Sequence, residues 1–432
     1  MLGKILQDLA FSILGVFGSV WWIIAIIIII YVLLDWHLVS ARLDYVRKQK
    51  WILLEINFPK ENLRSPKSME QVFSALYATY SFGFVMMDKW VEGKVEEWMT
   101  AEMVGFSQGV HFYIRCNEKS RKLVETALFS HYPEVEIDEA EDYVDRFGSN
   151  LPNSQYELFG TDFVLNKGNA HPIKTYEFFE DNVEEKRVDP ISTITEVMSN
   201  LKDDEMAWIQ ILFRPTGNKE INEEAETIIN KIAGRETKKS SSNLISWFFT
   251  EIFDFVKNLI VAPVTAPVWP GGEIKKDSAT AAQKRSTPGE INVLKGVENK
   301  ISKLCFECIL RFIYIDSRTS FTGQNITAIF GGLRDQFTTQ NMNSFRPNMK
   351  TMTIPAFSFP FINKKARLLQ RKKTIFFNYV NRYFPIGVKP MILNTEELAT
   401  IFHPPMTQVG APKLWRLESK KGEPPSNLPI NE

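Results

Sequence analysis

The residues with the most reactive side chains come first. Cys305-Phe-Glu-Cys308 has C-x-x-C spacing, the pattern of a redox dithiol or half a zinc site. It stands within LCFECILRFIYI, an apolar run that reads as a strand. On a strand, positions three apart point to opposite faces, so the two sulfurs cannot share a metal. Cys116 is the third and last cysteine. Three thiols make no disulfide framework and suit a reducing compartment. The five histidines, His37, His111, His131, His171 and His403, are scattered without an H-E-x-x-H pair. No serine or cysteine occupies a nucleophile-elbow context. There is neither a G-x-x-x-x-G-K-[ST] loop to cradle phosphate nor a G-x-G-x-x-G. The acidic run Glu134, Glu136, Asp138, Glu139, Glu141 and Asp142 reads as a solvated strand edge. The chain is expected to be no enzyme, with no catalytic residue, metal or cofactor.

The elements around these residues begin with an oily stretch. Phe11 to Leu34, FSILGVFGSVWWIIAIIIIIYVLL, holds no charge and no proline. Crossing a bilayer takes about 20 apolar residues at roughly 1.5 Å each. A signal-peptide core is about 7–15 residues and ends at small residues, whereas this run ends in Asp35-Trp36-His37. A single transmembrane helix is expected. In a second register Trp21, Trp22 and Trp36 are the interfacial belts, with 1–19 on the outer surface. Lys4 precedes the span and Arg42, Arg47, Lys48 and Lys50 follow it, which puts the C-terminal bulk in the cytoplasm at the plasma membrane.

The anchor and its basic flank take up 1–50. Over the whole chain a hydrophobic content of 44% with 12% aromatic residues is enough for packed cores beyond them. Lys+Arg and Asp+Glu balance at 51 each, which argues against a nucleic-acid coat. Ile52, Leu54, Ile56 and Phe58 alternate as a strand. Ser65-Pro66 opens a helix carrying Met69, Val72, Phe73, Leu76, Tyr77 and Tyr80. Strands at 97–106 and 110–116, a helix after Asn117 and a short strand at 135–137 follow. The order strand–helix–strand–strand–helix–strand over 51–145 predicts a ferredoxin-like (split βαβ) domain. A second α+β domain of the same kind is expected over 155–345. Its strands lie at 155–165, 173–180, 208–213 and 304–315, and its helices start at Asp189-Pro190 and Asn325. A long insertion, 216–300, interrupts it.

Within that insertion Asn243 caps LISWFFTEIFDFVKNLI. Trp247, Phe248, Phe249 and Phe253 belong to a wide apolar arc beside a thin polar stripe. Such a helix lies in a membrane interface or in a partner's groove, or else packs in a core. The remainder, 346–432, carries a basic helix (363–383), a short capped helix and a Pro-rich linker. The basic helix would meet anionic lipid, nucleic acid or an acidic partner, or simply be solvated. His111 and Tyr113 beside Arg115 offer a base-stacking platform, so a membrane-tethered single-strand nucleic-acid binder is an alternative. A lipid-surface structural protein is another.

The most distinctive segment is Ile392–Pro405, ILNTEELATIFHPP. Asn394 or Thr395 caps a short helix, Glu396 and Glu397 suit its positive end, and Pro404-Pro405 stops it. It resembles the LNTEELATLFHxP segment before the motor domain of membrane-anchored coupling ATPases of the conjugative, type IV secretion-like kind in small-genome bacteria. APKLWRLESKKGEPPSNL (411–428), Trp51–Pro59 with Ser65-Pro66-Lys67, and WIQILFRP (208–215) add to the likeness. In that family a nucleotide-binding domain follows, and this sequence to Glu432 has none. The resemblance therefore implies an anchor and assembly subunit, homo-oligomeric and docking a separate P-loop ATPase. Asn394, Glu396, Glu397 and His403 would touch that motor.

Overall fold

A computed structural model describes residues 2–59, 64–147, 151–179, 188–233, 287–339, 341–354, 363–384 and 389–406. The expected Trp247, Phe248, Phe249 and Phe253 helix lies outside them. In chain order the elements are α1 (Leu2–Arg47), β1 (Trp51–Asn57), α2 (Lys67–Leu76), α3 (Met86–Trp90), β2 (Met99–Phe106), β3 (Gly109–Asn117), α4 (Arg121–His131), β4 (Glu136–Glu139) and β5 (Tyr156–Leu165). Next come α5 (Ser192–Ser199), β6 (Met206–Thr216), α6 (Lys219–Ile232), α7 (Pro288–Ile301), β7 (Cys305–Ser317), α8 (Gln324–Asp335), β8 (Phe345–Pro347), α9 (Lys364–Asn381), β9 (Met391–Asn394) and α10 (Thr395–Ile401).

The class is α+β, with an apolar N-terminal helix followed by one antiparallel sheet of nine strands. Strands stand in the order β4-β1-β3-β2-β6-β7-β5-β8, and β9 pairs with the start of β7. The stretches expected as separate domains thus share one ladder. β2 and β6 pair antiparallel from Met99↔Phe213 to Gly105↔Ala207. About that seam the halves mirror each other: β4-β1-β3-β2 on one side, β6-β7-β5-β8 on the other, each a strand–helix–strand and strand–helix–strand pair in chain order.

Strand alternation explains how the faces are filled. Ile52, Leu54 and Ile56 of β1, Ile209 and Ile211 of β6, and Leu310 and Phe312 of β7 all turn to one face. There they meet Met69, Val72, Phe73 and Leu76 of α2, Val124 and Leu128 of α4, Met198 of α5, Leu333 of α8 and Leu398 of α10. The other face has a smaller apolar cluster, in which Leu53, Val104, Trp208 and Ile313 pack under Ile375, Phe376 and Tyr379 of α9. Gly160 makes that packing possible: a Cβ there would sit 3.2 Å from Ile375 Cγ2 and 3.3 Å from Ile313 Cγ1. The basic helix is therefore a cover for the sheet on one side, and Lys364, Lys365 and Lys373 face solvent on the other.

One expectation needs correction. Of the strand expected at 173–180, the described residues 173–179 form none; Tyr176–Phe178 is a short 3-10 turn. The Ile173 N–H donates to Glu397 Oε1 (2.9 Å) and the Tyr176 N–H to Thr400 Oγ1 (2.9 Å), so these backbone donors are satisfied by α10 side chains, not by a ladder. Two further strands follow Asn343: β8 pairs with β5, and β9 with β7. Within the insertion, α7 starts with a capping box that Thr287 and Glu290 make around Pro288.

Candidate functional site

Polar residues occupy matching positions on successive strands. The register aligns Asp138, Glu55, Tyr113, Glu102, Gln210, Arg311 and Asp162 in one row across β4, β1, β3, β2, β6, β7 and β5. All project to the face that α9 covers. Arg311 Nε–H donates to Asp162 Oδ1 (2.7 Å), and its Nη1 to Gln210 Oε1 (3.0 Å) and to the Asn378 carbonyl (2.8 Å). Gln210 Nε2 passes on to Glu102 Oε1 (2.9 Å) and the Tyr379 carbonyl (3.2 Å).

Arg382, one residue beyond α9, closes the row. Its guanidinium is held between two carboxylates: Nε and Nη2 donate to Glu102 (2.7 and 3.0 Å), Nη1 and Nη2 to Asp142 (2.6 and 3.0 Å). Arg382 caps the helix in the left-handed region at φ 52°, and Trp98 Nε1–H donates to its carbonyl at 2.9 Å. Burial pushes the Glu102 carboxyl up, but the Arg382 charge and its hydrogen bonds, with those of Tyr143 and Thr100, bring it below the usual range. The Arg382 pKa is raised: its burial acts the other way but is outweighed by Glu102. The row therefore clamps a helix to a sheet. Its ionised groups are spent on one another.

A second polar cluster surrounds α10. The four residues expected to touch a motor are inside the molecule: Asn394, Glu396, Glu397 and His403 are each at most 2% exposed. Asn394 and Glu397 form a capping box, Asn394 Oδ1 accepting from Glu397 N–H and Glu397 Oε2 from Asn394 N–H, both at 2.9 Å. Glu397 also pairs with the fully buried Lys300 at 2.9 Å. Lys303 bridges Glu70 (2.9 Å) and Glu396 (2.7 Å), while the Tyr176 hydroxyl donates to Glu70 at 2.5 Å. His403 Nδ1 faces the Ala399 carbonyl (2.8 Å) and Nε2 faces Asp189 Oδ1 (3.2 Å). Asp189 is pushed up by burial, yet the His403 charge and hydrogen bonds, with backbone donors from Met406 and Ile191, leave its pKa below the ordinary value. These side chains knit α2, α7, β9 and α10 together. A cleft of about 650 Å³ beside them is lined by Ile173, Phe178, Lys295, Asn299 and Met342 among others.

Membrane-related residues gather at the third place, where α1 meets the sheet. Helix α1 is continuous for 46 residues. Among the described residues Ala25–Arg47 is long and apolar enough to cross a membrane, and none of its apolar window is buried. Trp22 and Trp36 are exposed, and Trp21 lies on the same helix. Only Lys48, Gln49 and Lys50 separate α1 from β1. Val46 is buried with Trp98, Leu212 and Ile309, and Tyr45, Trp51, Tyr383 and Phe384 pack around them. Asn117 Nδ2–H donates to Gln49 Oε1 (2.7 Å), Glu118 N–H to the Lys50 carbonyl (2.9 Å), and the Arg115 guanidinium lies 4.3 Å from the Trp51 ring centre. The junction is a packed joint. At Gly93 (φ +67°) the chain presses on α1, where a Cβ would fall 2.3 Å from the Ala41 carbonyl carbon. Gly93→Ala adds backbone strain of about 1–3 kcal/mol to that collision. Faster amide exchange over 86–94, with the sheet unchanged, is the expected outcome.

The remaining candidates are occupied within the fold. Cys305 and Cys308 belong to different core clusters, and each Sγ–H donates to a carbonyl two residues back at 3.5 Å. Burial raises the Cys305 and Cys116 thiols to about 12, far from a reactive thiolate. Among the described residues no group of three or more His, Cys, Asp or Glu side chains is placed to hold a metal ion. Tyr113, expected as a stacking platform, is covered by Tyr143 (centroids 5.3 Å, 29°) and neighboured by His111. The polar row leaves only a lone Glu, Gln or Arg amid an apolar strand as its trace in the sequence, and Arg382, at the end of a basic helix, leaves none.

No curated protein matches the chain in sequence. A family match does cover residues 43–414, from the end of α1 through α10 and the residues after it. The chain belongs to that family, the domain of unknown function DUF8128.

Proposed function

We propose that the protein is a non-enzymatic, single-pass membrane scaffold whose bulk stands on the cytoplasmic face of the plasma membrane. The carrying observation is the packed joint between α1 and β1, which would fix a broad sheet at one height and tilt against the bilayer. A flexible tether would do for mere membrane retention; a stiff one suits a part on which others assemble. The basic residues Arg42, Arg47, Lys48 and Lys50 after the apolar run support the cytoplasmic side. We read each half of the sheet as a ferredoxin-like (split βαβ) unit, the two joined edge to edge at β2 and β6 so that neither leaves that edge open to other chains.

The likeness to the non-motor region of type IV secretion and conjugation-like coupling ATPases extends the proposal: a separate P-loop ATPase docks on this scaffold within a translocation machine. Because Asn394, Glu396, Glu397 and His403 are buried, the motor would meet other surfaces. Two measurements test the reading. Lys122→Cys, exposed on α4, is expected to resist a membrane-impermeant maleimide in intact cells and react after lysis; reaction in intact cells would reverse the orientation. Affinity purification from detergent-solubilised membranes is expected to bring down a P-loop ATPase. Repeated purification without one removes the translocation reading.

A further inference from the structure

The loop between α2 and β2 carries a row of bare apolar side chains that no core explains. Phe82, Val85, Met86, Met87 and Val91 are between 64% and 86% exposed. It is a closed, held loop: Ser81 N–H and Oγ–H both donate to Glu96 Oε2, at 3.1 and 2.9 Å. Phe82 (φ 56°) and Gly83 (φ 99°) are both left-handed, so an aromatic residue keeps a backbone conformation that costs energy and gains no burial.

Its position on α1 shows what it faces. Gly93 abuts Ala41, and the Trp90 carbonyl accepts from His37 Nε2–H at 3.1 Å. Running back from 93 to 90, the loop thus climbs α1 by one turn, about 6 Å, toward the apolar run that ends at Leu34. Helix α3, which ends at Trp90, therefore meets α1 next to the exposed Trp36. Lys94 pairs with both Asp88 (3.0 Å) and Glu92 (2.8 Å), and with the exposed Lys89 these four charges sum to zero. Balanced charge with aliphatic, Met and Phe tips beside an interfacial tryptophan is the make-up of a segment that enters the headgroup region.

We infer that the 82–91 loop is a second membrane contact, its apolar tips seated in the headgroup–acyl boundary of the leaflet that α1 leaves. The inference rests on α1 spanning the bilayer. With one helix the helix and sheet together could still rotate about the helix axis; a wedge beside the helix fixes that rotation.

The test uses the full chain in nanodiscs of phosphatidylcholine and phosphatidylglycerol, with nitroxide labels at Phe82→Cys, Met86→Cys, Ile29→Cys in the span and Lys122→Cys, exposed at the start of α4 beside the α1–β1 joint. The native thiols are buried. Relative accessibility to oxygen and to a water-soluble nickel chelate reports depth. Labels at 82 and 86 are expected about 5–10 Å inside the boundary, the label at 29 deeper, and that at 122 in water. A deep label at 29 with 82 and 86 as nickel-accessible as 122 overturns the inference and leaves the anchor standing. An aqueous label at 29 removes the anchor and the inference together. Labels at 82 and 86 shielded from both relaxants mean that protein, not lipid, covers the loop, which also overturns it.

Discussion

Arg382→Leu is expected to destabilise the full chain by about 3–5 kcal/mol, because it strands Glu102 as a buried, unpaired charge. Glu102 is fully buried on β2, and its only cationic hydrogen-bond partner among the described residues is that guanidinium. Asp142 loses its partner in the same step. Glu102→Leu/Arg382→Leu, which removes both charges, should recover much of the loss, since an apolar pair of similar size is tolerated better than half an ion pair. The pH dependence gives an independent reading. In the wild type the folded-state pKa of Glu102 is depressed. Its contribution to stability is therefore present above the unfolded value, about 4.3, and lost as pH falls through the folded one. In Arg382→Leu burial acts without the cation and the folded pKa rises above the unfolded value, so the sign reverses: the variant should regain stability as pH falls from 7 toward 5. Chemical denaturation in mild detergent at those two pH values checks both statements.

Glu397→Ala should be as damaging, by a different sum of effects. One side chain pairs with Lys300, accepts from the Ile173 and Asn394 N–H groups and completes the cap of α10. An unpaired buried lysine costs about 3–5 kcal/mol, and each orphaned buried donor a further 1–3 kcal/mol. Loss is expected to be local first, because α10 is short and held mainly by this cluster. Exchange and proteolysis should rise over 389–406 and 170–179 before the central strands respond. Glu397→Gln keeps one acceptor oxygen, enough for one of the two backbone donors, and should fall between the wild type and Glu397→Ala. Lys300→Met in the Glu397→Ala background should restore part of the loss.

How much of this could be read from the chain depends on the range of the interactions. Ile52, Leu54 and Ile56 announce β1 because alternation is local. The same holds for α2, α4 and the cap at Asn394, where donor and acceptor stand three residues apart. The Thr287-Pro-Gly-Glu290 start of α7 was equally local and was overlooked. Segment 173–180 misleads because Ile173, Thr175, Tyr176 and Phe178 are residues that favour strands, yet the backbone partners of Ile173 and Tyr176 are side chains on α10, far along the chain. The site chemistry is non-local throughout. Lys300 finds Glu397 after 97 residues, and Arg382 finds Glu102 after 280. No period reports such pairs. That is why Glu396, Glu397 and His403 read as a surface motif when they are the inside of a joint.

The central claim is that the membrane helix and the sheet move as one body. Double electron–electron resonance between spin labels at Ile29→Cys and Lys122→Cys, in the full chain embedded in nanodiscs, measures this most directly. A stiff joint predicts a single narrow distance distribution, broadened by Gly93→Ala little or not at all because the Val46–Trp98–Leu212–Ile309 contact is retained. A broad distribution in the wild type would mean that residues 48–50 act as a swivel, and the scaffold reading would fall with the joint.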